Sequence, residues 1–368
     1  MADSISTSKN RLNGICPYFT MFPLEFPHKI LQEARRRDEW VLDPFCGRGT
    51  TLYASKLLGL PSYGIDSSKV AVAISESKTA IASAKSIVNE AQRLFSEDKV
   101  EYDIPQGRFW ELAFERNVLK SICKIRQLLL NDCSTDVKKA LRGIILGALH
   151  GPKNKTVRSY FSNQCQRTYA PKPKYAVNFW EKNKMYPECV DILEIIKRRA
   201  ERYYGDETSS CRSHVIVGDS RDDIIYSGIN AKFRWIITSP PYYGMNTYIP
   251  DQWLRLWFLG GEPHVVYSNQ NQLSHSSPSS FAGELNKVWN NISKVCRSDA
   301  QMVVRFGGIN DRKASPLDIL FSSLVNSPWR VVNMSSAGTA LKGRRQAIHI
   351  RPGIKEPKEE FDVRVALH

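Results

Sequence analysis

The residues whose chemistry stands out first are Ser239, Pro240, Pro241 and Tyr242, which follow the apolar run Trp235-Ile236-Ile237 and Thr238. Such a run suits a buried parallel strand. Two prolines cannot continue a central strand, because each lacks the N–H that the ladder needs. The chain therefore leaves the sheet here, carrying a hydroxyl, a rigid diproline and an aromatic ring to the edge where open α/β sheets bind ligands. A second stretch, Asp43-Pro44-Phe45-Cys46-Gly47-Arg48-Gly49-Thr50-Thr51, places glycines where a strand turns into a helix. Glycines at such a turn let the backbone approach a ligand closely, and the helix beyond offers unpaired N–H groups. A P-loop would need a lysine that is absent here, and the third glycine of a dinucleotide fingerprint is missing. The pattern favours a smaller ligand carrying a carboxylate over a nucleotide polyphosphate. Asp66 ends the next apolar segment, placed either to accept both hydroxyls of a ribose or to cap the following helix.

The elements that must hold these residues follow from the pattern around them. Trp40–Phe45 reads as a strand, Thr50 to about Leu58 as a helix ended by Gly59, and Ser62–Asp66 as a second buried strand. Strand, glycine turn, helix and strand make a βαβ unit and call for a parallel sheet. Helical patterning runs from Ser67 to about Phe95, with Asp66 or Ser67 as its cap. Helices are expected near 108–131, 135–149 and 186–204, and the sheet rhythm resumes at 214–219 and 235–237. A helix near 279–297, a strand at 301–306, a helix near 316–325 and a strand at 329–335 follow, with 346–351 expected as a last, antiparallel strand. The expected division is a cofactor-binding half at 15–97, a helical insertion at 98–213, a catalytic half at 214–354 and a solvated tail at 355–368.

Lys and Arg number 52 against 37 Asp and Glu, a formal net charge of +15. Such an excess favours polyanionic partners through phosphate neutralisation and counterion release. The eight cysteines form no C-x-x-C pair and the seven histidines complete no zinc spacing, so reduced thiols and no metal are expected. The first residues carry no apolar signal core, and no apolar run reaches the length of a membrane span. A cytoplasmic protein with no membrane partner is the expectation.

Asp-Pro-Phe-x-Gly-x-Gly-Thr-Thr followed by a later Thr-Ser-Pro-Pro-Tyr resembles the amino-group DNA methyltransferases that use S-adenosylmethionine, here with the cofactor motif preceding the catalytic one. The aromatic segment Tyr18-Phe19-Thr20-Met21-Phe22-Pro23 looks like that family's N-terminal cofactor motif, and Gly218-Asp219-Ser220 stands where the family places a residue near the cofactor adenine. The resemblance implies a Rossmann-like methyltransferase sheet, mostly parallel with an antiparallel C-terminal strand. It implies S-adenosylmethionine bound by Phe19, Thr20, Phe22, Asp43, Pro44, Phe45, Gly47, Gly49, Thr50, Thr51, Asp66, Asp219 and Ser220. Ser239, Pro240, Pro241 and Tyr242 would then be catalytic. The Ser239 hydroxyl and Pro240 carbonyl would hold an exocyclic base amine, and Tyr242 would stack on the flipped base. In that family a serine at this position goes mostly with cytosine N4, whereas aspartate goes mostly with adenine N6. Double-stranded DNA is the implied partner, together with a companion restriction or defence system.

The long gap between Asp66 and Asp219 is expected to hold a target-recognition region. Its connector from Arg158 to Tyr175 mixes basic, aromatic and amide side chains, and Arg158, Asn163, Arg167, Lys172 and Lys174 are its candidate DNA contacts. Methylation of adenine N6, an RNA substrate, and a non-catalytic DNA-binding module on the same fold are the alternatives left open.

Overall fold

The computed structural model describes residues 7–18, 22–151, 158–163, 172–205, 211–244, 249–267, 273–308, 314–339 and 359–368. Its frame is a seven-stranded sheet: β1 (Trp40–Asp43), β2 (Ser62–Asp66), β3 (Ser213–Val217), β4 (Phe233–Thr238), β5 (Cys296–Gly307), β6 (Trp329–Thr339) and β7 (Glu359–Leu367). The strands lie in the order β3-β2-β1-β4-β5-β7-β6. β1 to β5 run parallel to one another, and β7 is inserted antiparallel between β5 and β6. The order reverses between β1 and β4, so the loops leaving these two neighbours diverge and open a crevice at their carboxyl ends.

Alternation along the strands sends side chains into two apolar layers. Val41, Trp235, Ile237 and Val303 enter one, while Leu42, Phe233, Ile236, Met302 and Val304 enter the other. The helical insertion belongs to the first layer. Buried Leu119, Ile122, Ile125 and Leu129 of the Arg116–Asn131 helix, and Ile144 and Ile145 of the Asp136–Ala148 helix, share one cluster with Val41 and Trp235. Described residues on both sides of position 98 thus share one apolar cluster.

Several elements depart from the expected ones. The long helix after Asp66 is two, Lys69–Thr79 and Ala84–Ser96, and the second begins at a capping box in which Ser83 and Ser86 exchange bonds. The first is capped by Ser68, whose hydroxyl accepts from the Ala71 amide, so capping is not the task of the Asp66 side chain. The pair 108–113 and 116–131 breaks where the Glu115 carboxylate receives the amides of Asn117 and Val118. A helix at Pro173–Lys182 begins at the end of the expected connector.

The larger correction concerns the C-terminus. Residues 355–368 read as a solvated tail because Glu and Lys dominate its start, yet 359–367 form β7. Beyond that polar start, Phe361, Val363, Val365 and Leu367 alternate with charged or small residues and face the second apolar layer, with Val363 and Val365 fully buried. The expected strand at 346–351 lies outside the described residues. Arg305 of β5, 7% exposed, is met by Asp362 of β7 through two bonds of 2.7 and 2.8 Å, and its guanidinium lies over the Phe26 ring. Asp362→Ala would leave that cation buried and uncompensated, which costs about 3–5 kcal/mol. Denaturant unfolding is expected to show a loss of that size.

Candidate active site

The site is built where β1, β2 and β4 end. Asp43 closes β1 and is 1% exposed. Its Oδ1 accepts from the Phe45 amide at 3.1 Å and from the Thr238 hydroxyl at 2.7 Å, while Oδ2 is buried without a hydrogen-bond partner among the described residues. Thr51, one residue into the Thr50–Leu58 helix, donates to the Ile237 carbonyl at 3.2 Å. These two bonds tie the glycine turn to the last residues of β4 and so to Ser239.

The turn takes its shape from two glycines. Gly47 and Gly49 have φ of 50° and 73°, a region that other residues adopt at a cost. A Cβ on Gly49 would also fall within 2.9 Å of the Ser75 backbone and side chain. Among the described residues, a Cβ at Gly47 would meet only the Phe45 carbonyl, at 4.0 Å. The Ser75 hydroxyl donates to the Gly47 carbonyl at 2.8 Å, and the Ser220 hydroxyl donates to the Pro44 carbonyl. Asp66, half-buried at the end of β2, accepts from the Gly47 amide at 2.9 Å and the Ser68 amide at 2.8 Å. Desolvation pushes both Asp43 and Asp66 up to about 6, against the hydrogen bonds that favour their ionised forms.

Asp219 and Ser220 follow β3 at the same edge, and both side chains are bonded within the chain. The Asp219 carboxylate is held by Arg221, whose Nε donates to it at 2.9 Å, and Arg221 continues to Glu284 at 2.9 Å. Burial alone would raise Asp219; the Arg221 guanidinium and amide outweigh it and hold the carboxylate below its ordinary range. Phe22 meets Phe26 edge-on at 5.2 Å. Phe19 and Thr20 lie outside the described residues.

Beyond β4, Pro240 is buried, and Ser239, Pro241 and Tyr242 are half-buried. The Tyr242 ring stands edge-on to Phe306 at 5.5 Å. His275, Tyr243 and Arg255 escaped the sequence reading. His275 accepts from the Gly244 amide at 3.0 Å and stacks on Phe281, and Tyr243 packs against both rings, so the turn after Tyr242 is clasped from the Pro278–Ser293 helix and the segment before it. Tyr18 is buried beside Asp66 and Ser68; burial first, and the Asp66 charge second, push its phenol up. Arg255 donates to the Pro17 carbonyl at 2.6 Å and fixes that segment from behind. A lone histidine in a serine-rich loop gave no signal of its destination.

The candidate nucleic-acid residues divide. Asn163 is buried, and its side-chain amide donates to the carbonyls of Leu112 at 3.0 Å and Met185 at 3.3 Å. It packs the insertion and does not reach a base, which corrects the expectation. Phe161 and Ser162 are buried with it, and Ser162 bonds Nδ1 of His150 at 2.8 Å. Burial and the nearby Arg255 charge push His150 down to about 3. Arg158 pairs with Glu188, and its carbonyl receives Arg198. Lys172 and Lys174 are exposed, with the Lys172 ammonium 5.8 Å from the ring centre of exposed Tyr267. Arg167 lies outside the described residues.

Residues 3–77 match the model of the N6/N4 methyltransferase family, described as DNA methylase, and this segment holds both the glycine turn and Asp66. No curated protein matches the chain. Among solved structures, the chain is similar to an rRNA methyltransferase from Streptomyces viridochromogenes at 11% identity and a TM-score of 0.38, covering 99% of this chain and 94% of that one. It is also similar to the magnesium protoporphyrin IX methyltransferase of Synechocystis with bound SAM, at 7% identity and a TM-score of 0.36, covering 99% and 92%. The mostly parallel sheet with its reversed order and inserted antiparallel strand is a Rossmann-like α/β sheet. Among the described residues no helix is long and apolar enough to cross a membrane.

The raised Asp43 carboxyl has a consequence for stability. An aspartate near 4 when unfolded and near 6 when folded binds its proton more tightly in the fold. Its contribution is therefore greatest at low pH and is lost as pH rises from about 4 through about 6. In Asp43→Asn the side-chain amide oxygen could still accept from Phe45 and Thr238. The substitution is therefore expected to raise the melting temperature at pH 7.5 relative to the unsubstituted chain and to narrow that gap toward pH 4.5. Melting curves at both pH values check the sign.

Proposed function

We propose that the chain is an S-adenosylmethionine-dependent DNA methyltransferase that modifies the exocyclic N4 amine of cytosine in a specific duplex sequence after flipping the base. The observation that carries this reading is the bond of 2.7 Å from Thr238 to Asp43, which sets Ser239–Tyr242 beside the glycine turn at one sheet edge. The residues present fit the cofactor. Asp43 Oδ2 is a buried acceptor without a hydrogen bond among the described residues, no described residue but Phe45 comes within 4.0 Å of where a Gly47 Cβ would stand, and half-buried Asp66 retains acceptor capacity for ribose hydroxyls. Asp43–Thr51 and Asp66 would hold it, with Phe19, Thr20, Phe22, Asp219 and Ser220 around them. Bound there, S-adenosylmethionine supplies an electrophilic methyl group.

This chain's own part is to prepare the amine. The lone pair of a base amine is delocalised into its ring, so the nitrogen is a poor nucleophile. Hydrogen bonds from the amine to the Ser239 hydroxyl and the Pro240 carbonyl draw it toward tetrahedral geometry and turn the lone pair outward. Tyr242 gives the flipped base a stacking face, and the His275–Gly244 bond holds that turn in place. The excess of basic residues, with exposed Lys172 and Lys174 on the insertion, supports a nucleic-acid substrate. A cytoplasmic setting and a companion restriction system accord with this activity.

Incubation with labelled S-adenosylmethionine and DNA or RNA, followed by digestion, tests the assignment: N4-methylcytosine from duplex DNA is expected. N6-methyladenine would overturn the base, and label only in RNA would overturn the substrate. Ser239→Ala is expected to lower the turnover rate roughly a hundredfold, by analogy with loss of one transition-state hydrogen bond, and to leave cofactor affinity unchanged. Asp66→Ala is expected to weaken cofactor binding by about 1.5–3 kcal/mol in calorimetry, the size of a charge-assisted hydrogen bond.

A further inference from the structure

The loop after β3 and the turn after Tyr242 are both held by the Pro278–Ser293 helix. Glu284 of that helix receives two groups on one carboxylate oxygen, Oε2: the Arg221 guanidinium at 2.9 Å and the Ser274 amide at 2.7 Å. Toward β3, Arg221 passes on to the Asp219 carboxylate at 2.9 Å, and its own carbonyl accepts from the Asn291 side chain, two helical turns beyond Glu284. Toward β4, Ser274 precedes His275, whose Nδ1 accepts from the Gly244 amide at 3.0 Å. The His275 ring stacks on Phe281, one helical turn before Glu284. Every step from Asp219 to Gly244 is thus a covalent bond or a contact of 3.0 Å or less. The Arg221 and Glu284 side chains are only 21% and 19% exposed, so water screens their pairing weakly.

Resting on the reading that the Asp219 loop lies at the cofactor adenine and that Tyr242 stacks on the target base, we propose that Glu284 is a positioning residue for methyl transfer, fixing the spacing between those two loops. Strand pairing does not set that spacing, because β2 and β1 lie between β3 and β4. The Thr238–Asp43 bond aligns β4 with β1 alone. The chemistry depends on it. As the amine nitrogen bonds to the methyl carbon, the carbon–sulfur bond breaks with its electron pair left on sulfur, and the amine then gives up a proton to water. Nitrogen, carbon and sulfur must lie in line at near-contact distance, which requires both ligands to be held in one frame. A single oxygen that takes a group from each loop provides that frame.

The test is methylation of duplex DNA at saturating cofactor by the full chain and by Glu284→Gln, Glu284→Ala, His275→Ala, the double Glu284→Ala/His275→Ala variant and Asn286→Ala. Affinities for cofactor and DNA and melting temperatures are measured alongside. Asn286 is the control, since it lies on the same helix but donates to the carbonyls of Ser323 and Val325, away from both loops. Glu284→Ala is expected to lower kcat by about tenfold or more while both affinities stay within about threefold. Glu284→Gln, which keeps an acceptor for Ser274, recovers part of the rate, and Asn286→Ala lowers the melting temperature without a loss in kcat. Because Glu284 reaches the target-base turn through His275, adding Glu284→Ala to His275→Ala is expected to cost less than about threefold more. A Glu284→Ala kcat within twofold of the unsubstituted chain overturns the proposal, as does a loss confined to affinity or melting temperature, an equal kcat loss in Asn286→Ala, or fully multiplicative losses in the double variant. Should Glu284→Ala not fold, the Glu284→Gln rate decides, and a value within twofold of the unsubstituted chain overturns the proposal. If the unsubstituted chain transfers no methyl group to nucleic acid, the functional reading falls and takes this one with it. If it does and the Glu284 variants are equally fast, only the role of Glu284 falls.

Discussion

The bond between the Thr238 hydroxyl and the buried Asp43 carboxylate is the constraint on which the site depends. Adjacent parallel strands bring β1 and β4 side by side, but backbone pairing does not decide how their exits are aimed. The Thr238 bond, with the Thr51 hydroxyl reaching the Ile237 carbonyl, fixes both exits against each other. The bond sits in a dry setting, where a hydrogen bond to a carboxylate is strong and an unmade one is costly. The glycine turn and the Ser-Pro-Pro-Tyr exit, far apart in the chain, become one edge of a crevice.

Around that bond the electrostatics are uneven. Asp43 and Asp66 are both pushed up to about 6 by loss of hydration, and each is steadied by amides of the turns it organises. Asp219, at the end of the neighbouring strand, moves the other way because Arg221 grips it and is itself anchored to Glu284. One acid is thus held within the loop after β3, while two are raised beside the glycine turn. A ligand that brings donors to this crevice would offset the cost of keeping those two carboxylates ionised.

The helical insertion is part of the same body as the sheet, since its buried leucines and isoleucines complete the apolar layer over β1 and β4. Its connector illustrates how composition misleads. Asn163 looked suited to reading bases, yet it is buried with Ser162 beside it, and the two side chains bond to carbonyls and to His150. Lys172 lies at the start of a helix, where it meets Tyr267 from another loop. The exposed basic and aromatic groups come from two segments that only the fold brings together.

Much of the fold was legible in order along the chain. The apolar segments read at 40–45, 62–66, 214–219 and 235–237 declared the strands β1 to β4 to within a few residues, because strands buried in a parallel sheet favour apolar residues. The glycines at 47 and 49 and the prolines at 240 and 241 declared their turns, because backbone conformation is a local property. What these residues could not declare was partnership. The polar start of the last segment outweighed its alternating Phe361, Val363 and Val365, and only the gap between β5 and β6 makes that alternation a strand. Nothing in the sequence near His275 foretells Gly244. Local chemistry is written in the order of residues; which distant groups share a crevice is decided by strand order and register, which depend on how the whole chain buries its apolar surface.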